Sequence, residues 1–166
     1  MKKLLLPLLA ALALPTAVDA EITNDYILKF NQAQELITKG KFSEGEKICD
    51  ELIKTAPEIK YAYVCKGIAL GFASENKKQR KALRNFTKAI KIDPEYTEAY
   101  YFRGLLQFQM RRRKDFGIAR TACNDISKAY FNNYPLALEY VKKNKSFVKG
   151  ECYQFIREWD AYYSHY

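Results

Sequence analysis

An all-α fold, an array of stacked helical hairpins, is what this sequence predicts, and three observations lead there. Tyr63 to Pro94 and Tyr100 to Pro135 repeat each other: each has an aromatic residue, a glycine four residues on, an apolar stretch and a basic turn. A second helix follows (ALRNFTKAI, then ACNDISKAY), closed by proline. Apolar residues recur at helical spacing along the chain, and no segment reads as a strand. A period in the thirties with two helices per unit marks a hairpin array, in which one unit cannot bury its own apolar face and neighbours must stack.

The elements follow in order. Met1 to Ala20 carries two lysines, an apolar run from Leu4 to Leu14 and Val18-Asp19-Ala20 ahead of Glu21. This is the grammar of a secretory signal peptide cleaved after Ala20. The apolar run is well short of the ~20 residues that span a bilayer. The mature chain, 21–166, is therefore expected as one exported domain, in the periplasm or another extracytoplasmic compartment. Thr23 or Asn24 caps a first helix with apolar residues at Ile27, Phe30, Ala33, Leu36 and Ile37, ended by Gly40. A second runs from Glu44 to Thr55 and stops before Pro57. The next pair is expected at about Lys60 to Phe72 and Gln79 to Ile92, and the third at about Thr97 to Met110 and Gly117 to Tyr130. The repeats thus span about 26–59, 60–96 and 97–137. Helices at 136–143 and 147–163 finish the chain.

Charge narrows the partners. The chain has 28 basic and 19 acidic residues; without Lys2, Lys3 and Asp19 these become 26 and 18, a net charge of +8. Export argues against nucleic acid and leaves acidic proteins, anionic lipid surfaces or cell-wall polymers. Thirteen tyrosines and ten phenylalanines promise large aromatic contacts. No nucleophile–base pairing, metal-ligand spacing or phosphate loop appears, so no catalytic residue, metal or cofactor is expected, and the chain is read as a non-enzyme.

The repeated residues resemble the tetratricopeptide repeat family. Its unit has an aromatic residue, a small residue four on, an alanine opening the second helix's inner face, a large apolar residue, a second alanine and a closing proline. Tyr63, Gly67, Ala82, Phe86, Ala89 and Pro94 match it in the second unit. In the third the matches are Tyr100, Gly104, Ala122, Ile126, Ala129 and Pro135. The first unit is degenerate, with Lys29, Ala33, Gly45, Cys49, Leu52 and Pro57 in those places, although Gly40-Lys41-Phe42 matches the family's inter-helix turn. Lys66 and Arg103 replace a common leucine, and their stems can still cover apolar surface. The resemblance covers Tyr26 to Pro135. It implies a right-handed α-solenoid of about three hairpins with C-terminal capping helices, acting as a noncatalytic scaffold.

In the family the first helices line a concave surface that receives a peptide or a partner's helix. The corresponding face here is Tyr61, Val64, Ile68 and Phe72, with Tyr101, Leu105 and Phe108 in the third unit and Ile27, Phe30 and Gln34 in the first. The polar clamp of chaperone-binding members is replaced by Phe30, Gln34, Cys65, Glu98 and Phe102, so an apolar groove is implied. The tail presents Val148, Cys152, Phe155, Ile156, Trp159 and Tyr163 on one helical face, which must bury against something. It either caps the third pair or folds back to fill the groove. In the second case the protein is a self-capped structural or membrane-peripheral one.

Two further features are left open. Four cysteines (Cys49, Cys65, Cys123, Cys152) allow three pairings. Nearest neighbours are favoured, because Cys49 and Cys65 lie on helices expected to pack. Cys123 with a cysteine near the C-terminus resembles a variant last repeat of exported family members. The alternative is four buried thiols. Lys77, Lys78, Arg80 and Lys81, and likewise Arg111, Arg112, Arg113 and Lys114, occupy equivalent turns, with Lys142, Lys143, Lys145 and Lys149 beyond. Such runs are either solvated turns or a basic edge for anionic lipid or acidic protein.

Overall fold

The computed structural model describes residues 23–72, 76–110, 116–144 and Cys152. Among them are seven helices and no strand, as an all-α chain requires. They are α1 (Asn24–Thr38), α2 (Phe42–Thr55), α3 (Lys60–Gly71), α4 (Asn76–Ile92), α5 (Thr97–Met110), α6 (Phe116–Phe131) and α7 (Pro135–Lys143). The expected signal segment at 1–20, the turn Arg111 to Lys114, Lys145, Lys149 and the tail helix apart from Cys152 lie outside the described residues.

Helix ends follow from local chemistry. Thr23 rather than Asn24 caps α1, its hydroxyl accepting from the Tyr26 N–H at 3.2 Å. Gly40, at φ +77°, closes α1. Its N–H donates to the Ile37 carbonyl (3.0 Å), and the Lys41 N–H to that of Leu36 (2.8 Å). This is the paired closure that favours glycine, because a side chain at that φ is strained. The same pattern ends α6 on Asn133, at φ +57°, with the Tyr134 N–H donating to the Ala129 carbonyl at 3.0 Å. α6 thus ends just ahead of Pro135, which is itself the first residue of α7, where its missing N–H costs nothing. Pro94 likewise follows the end of α4.

The chain divides into two compact units, the first ending at Pro94 and the second beginning at Glu95. In the first, α1 packs on α2, α2 on α3 and α3 on α4, and α1 also touches α3. In the second, α5 packs on α6 and α6 on α7.

Small residues set how closely each hairpin closes. A Cβ placed on Gly67 of α3 would lie 2.4 Å from the Phe86 ring of α4. One on Gly104 of α5 would lie 2.8 Å from an Ile126 side-chain carbon and 2.9 Å from the Ala122 carbonyl of α6. The degenerate first hairpin keeps the contact with its members exchanged. There the glycine is Gly45 on α2, 2.6 Å from Ile37 and 3.2 Å from the Ala33 carbonyl of α1. Ala82, Phe86 and Ala89, like Ala122, Ile126 and Ala129, are fully or almost fully buried. Tyr63 and Tyr100 are half-buried and Pro94 is exposed. Lys29 faces solvent and pairs with Asp25 at 3.1 Å. Tyr26 and Phe30 fill the core beside it.

All four cysteines are paired at bonding distance, Cys49 with Cys65 and Cys123 with Cys152. The first bond ties α2 to α3. The second holds Cys152 in a cluster with Ile126 of α6 and Val141 of α7, over which Phe108, Tyr130, Phe131 and Tyr140 pack.

Candidate functional site

The face expected to line a groove divides into core and surface. Phe30, Val64, Ile68 and Tyr101 are buried, with at most 2% of their surface exposed. Tyr61, Phe72, Leu105 and Phe108 remain half-buried, as do Ile27 and Gln34. The reason is geometric, because helical spacing that points a side chain off the hairpin also points it at the next first helix. In the first unit Phe30 of α1 meets Tyr61 of α3 edge-on, ring centroids 6.4 Å apart. In the second, Tyr101 of α5 packs on Tyr134 (5.4 Å) and on Tyr140 of α7 (6.3 Å). What this face offers a ligand is therefore narrower than the spacing suggested: Ile27, Tyr61 and Phe72 in the first unit, and Leu105 and Phe108 in the second, keep part of their surface free.

The second unit also buries an acid. Glu98, in the first turn of α5, is 5% exposed. The Tyr96 hydroxyl donates to its Oε2, while Oε1 has no hydrogen-bond partner. The Tyr134 hydroxyl is near enough to oppose the burial cost, yet it makes no hydrogen bond of sound geometry. Burial dominates and pushes the carboxyl up to about 8. Burial thus favours the neutral carboxyl of Glu98 over the anion. The sequence placed Glu98 only as a position where a clamp residue is missing. Its signal was Tyr96 two residues before it and the apolar Ala99 after it.

The same helix takes part in an ion pair that sequence reasoning missed. Arg103 of α5 grips Asp125 of α6 with two bonds, Nε to Oδ2 at 2.7 Å and an Nη to Oδ1 at 2.8 Å. Burial pushes the Asp125 carboxyl up from its ordinary range, and the guanidinium opposes that rise. Arg103 does more than cover apolar surface with its stem. The legible signal was an acid at 125, on the inward phase of Ala122, Ile126 and Ala129. Its counterpart Lys66 pairs instead with Asp50 of α2. Tyr100 lies between two cations, Arg103 at 5.5 Å and Lys128 at 4.4 Å from its ring centre, and Lys128 reaches Glu95 at 3.4 Å. The first unit repeats the motif with Lys88 over Tyr63 at 5.9 Å. Lys60 meanwhile joins α3 to the end of α4 through Asp93, at 2.7 Å.

The charged turns divide as well. Lys77, Arg80 and Lys81 are exposed and Lys78 is half-buried, all on the first turns of α4 rather than in a loop before it. Lys142 and Lys143 are exposed on α7, and Lys143 pairs with Glu139. Among the described residues no group of His, Cys, Asp and Glu is placed to hold a metal ion, and no helix is long and apolar enough to cross a membrane. No protein-family model matches the chain, and no curated protein matches it.

Proposed function

We propose that the chain is a noncatalytic protein-interaction module acting outside the cytoplasm. Its tetratricopeptide-like hairpins belong to a right-handed α-solenoid whose first helices receive an apolar peptide or amphipathic helix. One observation carries the reading. The small-residue contact between paired helices occurs three times, at Gly45, Gly67 and Gly104, with a large apolar side chain against the glycine each time. Such arrays lend contact surface rather than chemistry. Tyr61 and Phe72 in one unit and Leu105 and Phe108 in the other keep apolar surface available. Two cysteine pairs at bonding distance fit an oxidising compartment, where disulfides persist.

Affinity capture from the cell envelope tests binding, using the full chain beside Tyr61→Glu and Phe72→Glu variants whose helix content is checked by circular dichroism. The same partner should be retained by the native chain and lost by folded variants. Retention of every partner by both variants would refute the groove. N-terminal sequencing of the protein recovered from cells tests export, and a chain starting at Glu21 is expected.

A further inference from the structure

The outer face of α4 is charged in a way that hairpin packing does not require. Six of its described side chains are exposed: Lys77, Arg80, Lys81, Arg84, Lys88 and Lys91. Every one is a cation, and residues 76–92 contain no acid. The corresponding helix of the first hairpin, α2, instead mixes Glu44 and Glu51 with Lys47 and Lys54 on its exposed face. Helical spacing stacks the six cations into one stripe, opposite the Ala82, Phe86 and Ala89 face that meets α3. From Lys77 to Lys91 the stripe runs about 21 Å at 1.5 Å per residue. Lys77, Arg80, Lys81, Arg84 and Lys91 have no acidic partner among the described residues, and Lys88 is engaged only with the Tyr63 ring. Like charges three and four apart destabilise a helix. Those at Lys77 also oppose the helix dipole, whose positive end is the N-terminus. The arrangement works against the helix's own stability.

We infer that this stripe docks the protein on the surface of an anionic bilayer, with the α4 axis lying along the plane of the phosphate head groups. The chemistry selects that partner. A plane of diffuse negative charge needs no shaped pocket and is met by a straight line of long, flexible cations. A single-stranded nucleic acid would call for exposed aromatic rings to stack its bases, and none stands among the six. A specific peptide partner would call for an aromatic or aliphatic anchor in the middle of the patch, and every exposed position is charged. The cysteine pairs also fit a compartment in which a membrane surface is at hand and duplex nucleic acid is not. The inference does not depend on the apolar groove, and its failure would leave that reading standing.

The test is cosedimentation of the full chain with vesicles of equimolar phosphatidylglycerol and phosphatidylcholine, beside vesicles of phosphatidylcholine alone. Binding should be confined to the anionic vesicles and be released by salt, because exposed charges are screened over ~3 Å at 1 M. Each cation removed should weaken the partition roughly fivefold. The double variant Arg80→Gln/Arg84→Gln then loses about 25-fold. Lys81→Gln/Lys91→Gln should lose as much, and it serves as the independent measurement if the first pair disturbs folding. Lys47→Gln/Lys54→Gln on α2 lowers net charge equally and should leave binding unchanged. Equal binding to both vesicle types, an equal loss in the α2 control, or binding to duplex DNA without binding to anionic vesicles would each overturn the inference.

Discussion

Replacing Gly67 by alanine tests the hairpin geometry most directly. The added Cβ would lie 2.4, 2.7 and 2.8 Å from three carbons of the Phe86 ring. The ring is 2% exposed and lies between Ala82 and Ala89, so it has little room to move. Forcing a methyl group into a packed core costs about 1–3 kcal/mol, and overlap with three ring atoms belongs at the upper end. Alanine recovers about 1 kcal/mol of helix propensity relative to glycine. The net loss is about 2 kcal/mol, or about 4–8 °C in Tm for a domain of this size. Phe86→Leu alone leaves a cavity and also destabilises. In the double variant, however, the smaller side chain makes room for the methyl group. Thermal unfolding of the two single variants and the double variant should show a favourable coupling of at least ~1 kcal/mol. A rise in Tm for Gly67→Ala, or strictly additive losses, would mean that α3 and α4 do not approach as closely as described.

Three other perturbations give equally definite outcomes. Glu98 has its folded value raised from 4.5 to about 8, so the native state holds that proton more tightly than the unfolded chain. Stability should therefore be greatest below about pH 4.5 for this group, fall as pH rises toward 8 and then level off. At ~1.36 kcal/mol per unit the fall is of order 5 kcal/mol. Glu98→Gln should flatten that slope, and parallel Tm–pH curves for the two proteins would refute the assignment. Asp125→Ala strands the Arg103 guanidinium and should cost about 3 kcal/mol in a denaturant titration. Arg103→Met/Asp125→Leu should recover most of it, and an unrecovered loss would show that the pair does more than neutralise itself. Cys65→Ala and Cys152→Ala, each combined with alanine at its partner, open loops 16 and 29 residues apart in sequence. On the loop-entropy relation each should lose about 3 kcal/mol or slightly more, with the second loss the larger. Chemical denaturation with and without reductant measures both, and reductant should have no effect once both bonds are gone.

Most of the helical frame was legible, because period and punctuation are local. Gly40, Pro57 and the Asp93-Pro94 step put the ends of α1, α2 and α4 where they are found. The expected starts erred by a few residues where the first turn is polar: α2 begins at Phe42 rather than Glu44, and α4 at Asn76 rather than Gln79. The Cys49–Cys65 pairing followed from which helices must touch, whereas Cys123–Cys152 rested on the family resemblance. Side-chain destinations were harder. Phe30 and Tyr101 have the same phase whether they face a ligand or the neighbouring first helix, and only the position of that neighbour decides. The burial of Asp125 and Glu98 was not read from the sequence, because a single sequence does not show that Arg103 and Tyr96 come to meet them. Burial of an acid depends on partners from other turns and other helices, and helical period carries no record of them.

The basic residues show the same limit from the other side. Grouped by adjacency, Lys77 to Lys81 looked like a turn and its charge seemed to end there. Grouped by phase, they continue through Arg84, Lys88 and Lys91, because the packing of Ala82, Phe86 and Ala89 against α3 fixes the rotation of α4 about its axis. The residues that build the core thereby also decide which cations share the outer face. A substitution that turned α4, such as a bulky residue at Ala82, would rotate part of the stripe out of line without removing any charge. An Ala82→Leu variant that stays folded should therefore bind anionic vesicles more weakly than the native chain at the same net charge. Unchanged binding would show that total charge, and not its alignment on α4, is what the bilayer senses.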